Sequence, residues 1–257
     1  MNNLVSIITP CYNSENFISE TIKSVLGQTY KNWEMIIVDD VSTDKSVDII
    51  SAFCKQDSRI QLHQLLDNSG AAIARNKAIE LAQGSFIAFL DSDDLWLSKK
   101  LECQLDFMLK NEYSLSYTSY EIINEDGNLT DKIINCKDKL DYNRMLYSNE
   151  IGCLTAMYNR DILGKIFMPE IRKRQDYGLW LKILKSEKYA FGLTEVLAQY
   201  RNRSKSMSNN KVEMLKWNWN LYKNIENLSY FRATYYTLCN VLNKLFKIYN
   251  NFHYLSI

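Results

Sequence analysis

Histidine is nearly absent from this chain of 257 residues, which contains only His63 and His253. Mechanisms that need several histidines are therefore excluded, including histidine-rich zinc sites and most triads with a histidine relay. The six cysteines form no Cys-x-x-Cys pair, which is typical of scattered reduced thiols in a cytosolic protein. We therefore expect any catalysis to depend on carboxylates.

Proline and glycine are also scarce, with two and eight residues, and 24% of the residues are charged. This composition argues against collagen-like, low-complexity and disordered chains. No run of about 18 apolar residues occurs, so no segment is expected to span a bilayer. The chain starts with a strand pattern rather than a charged and then apolar leader, so we expect no secretory signal and a cytoplasmic location. The net charge of +1 gives no support to nucleic-acid binding.

The small net charge hides a difference between the two ends of the chain. Residues 211–257 hold six Lys or Arg against Glu213 and Glu226, a surplus of +4, and the other 210 residues carry 25 against 28, or −3. Residues 211–257 are also rich in Trp, Tyr and Phe, a composition typical of interfacial helices attracted to anionic lipid. We predict a catalytic domain over 1–210 and a helical extension over 211–257 that contacts a membrane, packs on the domain, or does both.

Apolar runs alternate with segments of helical period in the first half, as in βα units around a mostly parallel sheet. The predicted strands are 5–9, 35–38, 60–66, 86–90 and 114–123, with a short extended segment at 195–200. The predicted helices are 43–55, 70–82, 177–184, one that Ser14 caps and Gly27 ends, one that begins at Ser98, and one or two from 212 to the end. The sequence therefore predicts an α/β fold with a C-terminal helical extension.

Acidic residues follow two of the predicted strands, as Asp39-Asp40 and as Asp91-Ser92-Asp93-Asp94. The ligand crevice of an open α/β sheet lies beyond the carboxyl ends of its strands, so these side chains should lie together. Clustered carboxylates are costly without a cationic partner, and Mg²⁺ or Mn²⁺ is the natural one. No glycine-rich phosphate loop follows the first strand, which excludes Rossmann dinucleotide and P-loop sites. We expect a carboxylate-bound metal to neutralise any diphosphate instead.

Five ordered segments closely resemble the motifs of family 2 glycosyltransferases of the GT-A fold. They are Ser6–Asn13 (SIITPCYN), Ser24–Tyr30 (SVLGQTY), Ile36–Asp44 (IIVDDVSTD), Gly70–Asn76 (GAAIARN) and Phe89–Asp94 (FLDSDD). The resemblance implies a metal-dependent, inverting enzyme that moves a sugar from a nucleotide-sugar, in particular a UDP-sugar, to a saccharide. By analogy, the acceptor is linked to undecaprenyl diphosphate in bacterial O-antigen, lipopolysaccharide or capsule synthesis. That acceptor implies an enzyme on the cytoplasmic face of the inner membrane.

The resemblance also implies roles for residues near the donor. Tyr12 matches the position whose ring lies by the donor base, and Pro10 adds a backbone contact. Asp40 matches the carboxylate that accepts an N–H of the base. Arg75 stands where the family approaches the donor nucleotide and diphosphate.

The segment Asp91-Ser92-Asp93 matches the D-x-D motif of the family. The match implies that Asp91 faces the ribose or the metal and that Asp93 is the direct metal ligand. The next residue, Asp94, competes with Asp93 for that role because the run of acids leaves the register ambiguous.

An inverting transfer needs a general base to take the proton from the acceptor hydroxyl. The family places this base as the Asp of a Glu-Asp pair just before a helix of Trp-Leu type, and Arg174–Leu181 (RQDYGLWL) resembles that segment. The resemblance implies that Asp176 is the base, with Gln175 in place of the usual Glu. The alternative is that Asp176 simply caps the helix.

Basic residues both precede and follow Asp176 in the sequence. Arg203 stands where the family has a His shortly after a Tyr-Arg pair, so no imidazole acts there, and we hypothesise that Arg203 binds the diphosphate. The run Arg172-Lys173-Arg174 either meets a phosphate of the acceptor or forms a solvated face.

Two alternative functions remain open. The segment Phe86–Asp93 also resembles the strand and D-x-D of an aspartyl-phosphate phosphatase, although that motif normally follows the first strand. The other alternative is a non-catalytic nucleotide-sugar-binding or assembly protein whose carboxylates are structural.

Overall fold

The computed structural model describes residues 3–203 and 211–253, without the side chains of 211–212 and 244–253. The strands within this part of the chain are β1 (Val5–Cys11), β2 (Trp33–Asp39), β3 (Ile60–Gln64), β4 (Phe86–Phe89), β5 (Leu95–Trp96), β6 (Leu115–Ile123), β7 (Leu129–Ile134), β8 (Lys139–Leu140), β9 (Met157–Asn159) and β10 (Ala190–Arg201). They form one sheet in the order β3-β2-β1-β4-β9-β6-β10-β5, with β7 beside β6 and β8 beside β10.

Helices flank this sheet. They are α1 (Ile18–Leu26), α2 (Ser46–Gln56), α3 (Ala71–Leu81), α4 (Lys100–Asn111), α5 (Tyr142–Tyr147), α6 (Arg160–Leu163), α7 (Gln175–Ser186), α8 (Lys211–Asn220) and α9 (Tyr230–His253). A short 3₁₀ turn covers Cys153–Thr155, and a π-helical turn covers Leu221–Ile225.

The first four long strands form a parallel half-sheet, as the sequence predicts. β1 pairs with both β2 and β4, and β2 pairs with β3, all in parallel. Every residue of β1 and β2 is buried because helices cover both faces, which explains their continuous apolar runs. Beyond β4 the sheet is mixed, because β9 runs antiparallel to both β4 and β6. The α/β fold class is confirmed.

The two faces of the sheet belong to two separate hydrophobic clusters. Ile7 packs in one and Ile8 in the other, since consecutive strand residues point to opposite faces. One cluster also holds Phe89 of β4 and Trp180 of α7, whose rings meet edge to face at 5.4 Å. This packing fixes α7, the helix that begins with the candidate base segment, against the strand that leads to the acidic loop.

The expectation that Ser14 caps the first helix is wrong. No side chain caps α1, which begins at Ile18. The Ser14 hydroxyl lies 2.7 Å from the hydroxyl of Ser92 instead, and its carbonyl accepts the N–H groups of Phe17 and Ile18. The residue therefore joins the loop after β1 to the loop after β4.

The elements between residues 124 and 170 lie outside the sequence prediction. Each of these strands, helices and turns has six residues or fewer, too short to show a full hydrophobic period. β10 is also longer than the predicted segment 195–200. A turn at Gly127 joins β6 to β7.

The C-terminal helices pack on the body of the protein. The Tyr222 hydroxyl lies 2.9 Å from that of Tyr177 on α7 and accepts from Asn240 Nδ2 of α9 at 2.8 Å. Leu221 and Ala233 belong to the same hydrophobic cluster as Tyr177. Within the described residues, no helix combines the length and the apolar character needed to cross a bilayer.

Candidate active site

One cavity of about 250 Å³ lies at the carboxyl ends of β1, β2 and β4. Its lining includes every residue predicted for donor or metal binding, namely Pro10, Tyr12, Asp40, Arg75, Asp91, Asp93 and Arg203. Asp94, Ser14 and Tyr200 also line it. Four of the strand-end acids, Asp40, Asp91, Asp93 and Asp94, thus meet the two arginines in one place, as the sequence predicts, whereas Asp39 and Asp176 do not line this cavity.

Arg75 is the buried cation of the cavity. It lies on α3, and its Nη2 is 2.5 Å from Oδ1 of Asp91. Its Nε and Nη1 atoms are buried and have no hydrogen-bond partner among the described protein groups. Burial alone would lower the pKa of Arg75, but Asp91, Cys153 and Asp176 raise it above its ordinary value. The guanidinium is therefore charged, and two of its donors remain for an anionic ligand.

Asp93 is the acid of the D-x-D motif that faces Arg203. Arg203 Nε lies 2.8 Å from Asp93 Oδ2, and both side chains are partly exposed to the cavity. Burial raises the pKa of Asp93 above its ordinary value, Arg203 lowers it, and Asp91 raises it further. Asp93 and Arg203 therefore form the second acid–arginine pair of the site.

Asp94 lines the same cavity, but its contacts differ from those of Asp93. Its side chain is buried, and Oδ1 accepts the backbone N–H of Arg201 at 2.9 Å. Burial raises the pKa of Asp94 well above its ordinary value, and Asp93 and Asp91 raise it further. The position favours a structural role for Asp94 and leaves Asp93 as the better placed ligand.

Asp40 and Tyr12, which the sequence predicts to contact the donor base, both line the cavity. Oδ1 and Oδ2 of Asp40 accept the backbone N–H groups of Ser69 and Gly70 at 2.7 and 2.8 Å. The carboxylate therefore shapes the turn before α3, where Gly70 has a φ of +91°. The lone pairs of Asp40 that these two bonds leave open could accept from a nucleobase. The Tyr12 side chain is 51% exposed at the rim, where its ring is open for stacking.

Asp176 lies in the first turn of α7, outside the cavity lining but near enough for its charge to raise the pKa of Arg75. Its Oδ2 accepts from Asn149 Nδ2 at 3.3 Å. Cys153 is half-buried near Arg75 and Asp176, and loss of solvent around its thiol raises the pKa well above its ordinary value. Sequence reasoning missed Asn149 and Cys153, because their neighbours in space are distant in the chain and neither residue stands in a motif.

The basic run before Asp176 divides among three environments. Arg172 is exposed and lines a second cavity of about 240 Å³ with residues 68–73 and 170–171. Lys173 Nζ lies 2.8 Å from Glu213 of α8, which ties the run to the extension. Arg174 has a φ of +68°, and its Nε and Nη2 are buried without a hydrogen-bond partner among the described protein groups. The three residues therefore do not form one uniform solvated face.

Asp91 and Asp93 are the carboxylates in the cavity that suit a divalent metal. Among the described residues, no group of three or more His, Cys, Asp or Glu is placed to hold an ion by itself. Mg²⁺ and similar ions usually take one or two carboxylates and complete their shell with substrate phosphates and waters. Two acids beside the unsatisfied donors of Arg75 fit a site of that type.

Residues 6–167 match the family model described as "Glycosyl transferase family 2". The chain belongs to glycosyltransferase family 2. This family 2 glycosyltransferase is 48% identical over 232 residues to the putative teichuronic acid biosynthesis glycosyltransferase TuaG of Bacillus subtilis, with 90% of this chain and 92% of that protein covered. It is 44% identical over 219 residues, 85% of each chain, to the Escherichia coli protein WfgD, a UDP-Glc:alpha-D-GlcNAc-diphosphoundecaprenol beta-1,3-glucosyltransferase.

The fold of this family 2 glycosyltransferase is similar to those of solved transferases. The S. aureus TarS fragment 1–349, in complex with UDP-GlcNAc, gives a TM-score of 0.69 at 22% identity, with 91% of this chain and 70% of that chain covered. The mannosyltransferase PcManGT of Pyrobaculum calidifontis, in complex with GDP-Man and Mn²⁺, gives 0.61 at 18% identity, with 84% and 61% covered. The GT-A fold and the transferase class are confirmed, and the phosphatase and binding-protein alternatives are set aside.

Proposed function

We propose that this chain transfers a sugar, with inversion, from a UDP-sugar to a lipid-linked saccharide in bacterial surface polysaccharide synthesis. The observation that carries the proposal is the buried Arg75 guanidinium, which has two unsatisfied donors in a cavity lined by Asp91 and Asp93. Buried donors without partners are costly, and a diphosphate supplies strong acceptors of the opposite charge. The name of WfgD supports the donor and acceptor classes, and the name of TuaG supports a role in surface polysaccharide synthesis.

The donor would lie along the cavity from Tyr12 to Arg203. The exposed ring of Tyr12 would stack on the uracil, with Pro10 beside it and Asp40 accepting an N–H of the base. Arg75 would donate Nε and Nη1 to the diphosphate, and Arg203 would contact it from the opposite wall. Arginine suits this task because its planar donors match phosphate oxygens.

Asp91 and Asp93 would hold a Mn²⁺ or Mg²⁺ ion together with the donor phosphates. When bound, such an ion neutralises negative charge on the departing diphosphate. Asp93 Oδ2 already accepts from Arg203, so the ion would approach the other oxygen or displace the guanidinium. In either arrangement Asp93 stays close to the diphosphate, with the charge of Arg203 beside it.

Asp176 would act as the general base. In an inverting displacement the base removes the proton of the attacking hydroxyl on the face opposite to the leaving group. Asn149 donates to one carboxylate oxygen of Asp176, which orients the group and leaves the other oxygen for the acceptor hydroxyl. Gln175, which replaces the usual Glu, is buried and has no role in this scheme.

We also propose that residues 1–210 form the catalytic domain and that 211–257 form an extension. A lipid-linked acceptor stays in the membrane, so the enzyme would work as a peripheral protein on the cytoplasmic face of the inner membrane. The buried packing of Tyr222 and Ala233 against the body means that this extension would move with the catalytic domain.

Two measurements test the proposal. The first is transfer from a panel of UDP-hexoses and UDP-N-acetylhexosamines to a GlcNAc-diphosphate prenyl lipid with Mn²⁺, where transfer from none of them would contradict it. The second is calorimetric binding of UDP and uridine to the native chain and to Arg75→Gln. We expect the variant to lose UDP affinity at least about ten-fold while uridine binding stays nearly unchanged. Equal losses for UDP and uridine would show that Arg75 supports the cavity rather than the diphosphate.

A further inference from the structure

Helix α9 has two different faces within the described residues. Ala233, Tyr236 and Asn240 are buried against the body of the protein. Four large apolar side chains lie outside this buried face and are exposed by about half or more, and one of them, Tyr235, also has its ring edge to face with that of Tyr147 of α5. They are Phe231 (82%), Tyr235 (46%), Leu238 (57%) and Leu242 (52%). The contacts that fix the helix thus use one face and leave an apolar stripe on the other.

The spacing of the exposed residues makes this stripe continuous. They follow one another at intervals of four, three and four residues, which places them along one side of an α-helix. In the sequence the same spacing continues through Leu245, Tyr249 and Phe252. The described part of the stripe, from Phe231 to Leu242, is about 17 Å long.

The charges of this segment point to an anionic surface. Residues 227–257 contain Arg232, Lys244 and Lys247 and no Asp or Glu. A helix with an apolar side and only basic charges has the composition of one that lies in the headgroup layer of an anionic bilayer.

The residues beside the stripe argue against a second copy of the chain as its cover. A paired coiled coil buries a narrow seam flanked by charges of both signs. Here three of the four flanking positions in the described part of the helix are uncharged, namely Thr234, Cys239 and Val241, and only Arg232 carries a charge. The apolar sector is therefore wide, as expected for a helix at a lipid interface.

We propose that the outward face of α9, defined by Phe231, Tyr235, Leu238 and Leu242, is an in-plane anchor for an anionic membrane. The inference rests on the proposed function in one respect, because the lipid-linked acceptor is the reason why the enzyme needs a membrane. α9 is joined to the site through α5, because Asn243 Nδ2 donates to the carbonyl of Tyr147 at 3.2 Å. Asn149, which contacts Asp176, follows two residues later. The anchor would therefore hold the base side of the site at a set height above the bilayer.

Vesicle binding tests this anchor with a matched pair of variants of the full chain. One carries Gln at Phe231, Leu238 and Leu242. The control carries Gln at Leu66, Leu129 and Ile162, three exposed apolar residues of the catalytic body. We expect the native chain and the control to sediment with phosphatidylcholine vesicles that contain phosphatidylglycerol. The α9 variant should lose at least about ten-fold in partitioning, since apolar burial and basic charge act together.

Three results would overturn the anchor. They are no binding of the native chain to these vesicles, equal binding of the two triple variants, and a native dimer in sedimentation analysis that only the α9 variant loses. Transfer to a short-chain, water-soluble acceptor separates this inference from the proposed function. The α9 variant should keep that activity, and a native chain that binds vesicles but transfers nothing would contradict only the proposed function.

Discussion

The backbone N–H of Arg201 donates to the carboxylate of Asp94 at 2.9 Å, and the same arginine binds the loop around that acid through its side chain. Its Nε donates to the carbonyl of Asp93 at 2.8 Å, Nη1 to the carbonyl of Glu125 at 2.9 Å, and Nη2 to Glu20 at 2.6 Å. One buried side chain at the end of β10 therefore joins the D-x-D loop to α1 and to the β6–β7 turn.

Replacing Arg201 with Met should disorder the D-x-D loop. The substitution leaves the carbonyls of Asp93 and Glu125 without their donors, so we expect a loss of about 2–4 kcal/mol in the free energy of unfolding. UDP binding in the presence of Mn²⁺ should weaken as well. Urea unfolding and calorimetry measure the two effects. Glu20→Gln is the matched control, because it keeps a side-chain acceptor for Nη2 and should change both quantities little. An Arg201→Met protein with native UDP affinity would show that the loop holds its shape without the arginine.

The Asp93→Asn and Asp94→Asn variants should differ sharply. Asp93 faces Arg203 and the cavity, whereas Asp94 is buried, accepts from Arg201, and has a raised pKa that makes a neutral isostere easy to accommodate. We expect Asp93→Asn to lose Mn²⁺-dependent UDP affinity at least about ten-fold and Asp94→Asn to stay within a few-fold of the native value. Titration of UDP with and without Mn²⁺ measures both. The reverse order would make Asp94 the metal ligand.

Asp176→Asn should abolish transfer while donor binding stays intact. A positioned general base contributes about 10²–10⁴-fold to the rate, and Asp176 does not line the donor cavity. Asn149→Ala should give a smaller loss, of about ten-fold in kcat, because it removes only the hydrogen bond that orients the base. Steady-state kinetics with saturating donor separates the two. Native turnover by Asp176→Asn would remove this residue as the base, and an unchanged kcat in Asn149→Ala would remove the positioning role.

The donor half of the site could be predicted from the sequence because its signals are local. β2 and β4 are buried apolar runs, and the acids that end them must reach the same edge of a parallel sheet. The structure also separates Asp93 from Asp94, which the sequence could not do. Asp94 is distinguished by Arg201, which lies 107 residues further along the chain.

Asp176 could be predicted as a candidate base only through the resemblance of the segment around it. Asn149 and Cys153 reach their neighbours through short elements between β8 and β9 that carry no clear periodicity. Ser14 shows a related limit, because its residue type suggests a helix cap and its actual partner, Ser92, comes from a distant loop. In each case a tertiary contact overrides a local preference.

Lys100 gives a prediction about stability that depends on pH. It begins α4, it is fully buried, and its Nζ lies 3.7 Å from the centre of the Trp96 ring without a hydrogen-bond partner among the described protein groups. Burial lowers the pKa of Lys100 well below its ordinary value, so the folded state binds fewer protons than the unfolded state between the two pKa values. The contribution of this group to the free energy of unfolding therefore rises with pH up to the unfolded pKa of about 10.4.

Lys100→Met should therefore be more stable than the native chain at pH 7, by about 1–2 kcal/mol, because methionine fills a similar volume without a buried amine. The advantage should shrink as the pH rises toward 10, because the native lysine then loses its proton in the unfolded state as well. Urea unfolding at several pH values measures the difference. Lys110→Met, at an exposed position of the same helix, is the control and should show no such trend. A Lys100→Met advantage that stayed constant with pH would mean that the buried amine keeps its proton, with the Trp96 ring holding the charge.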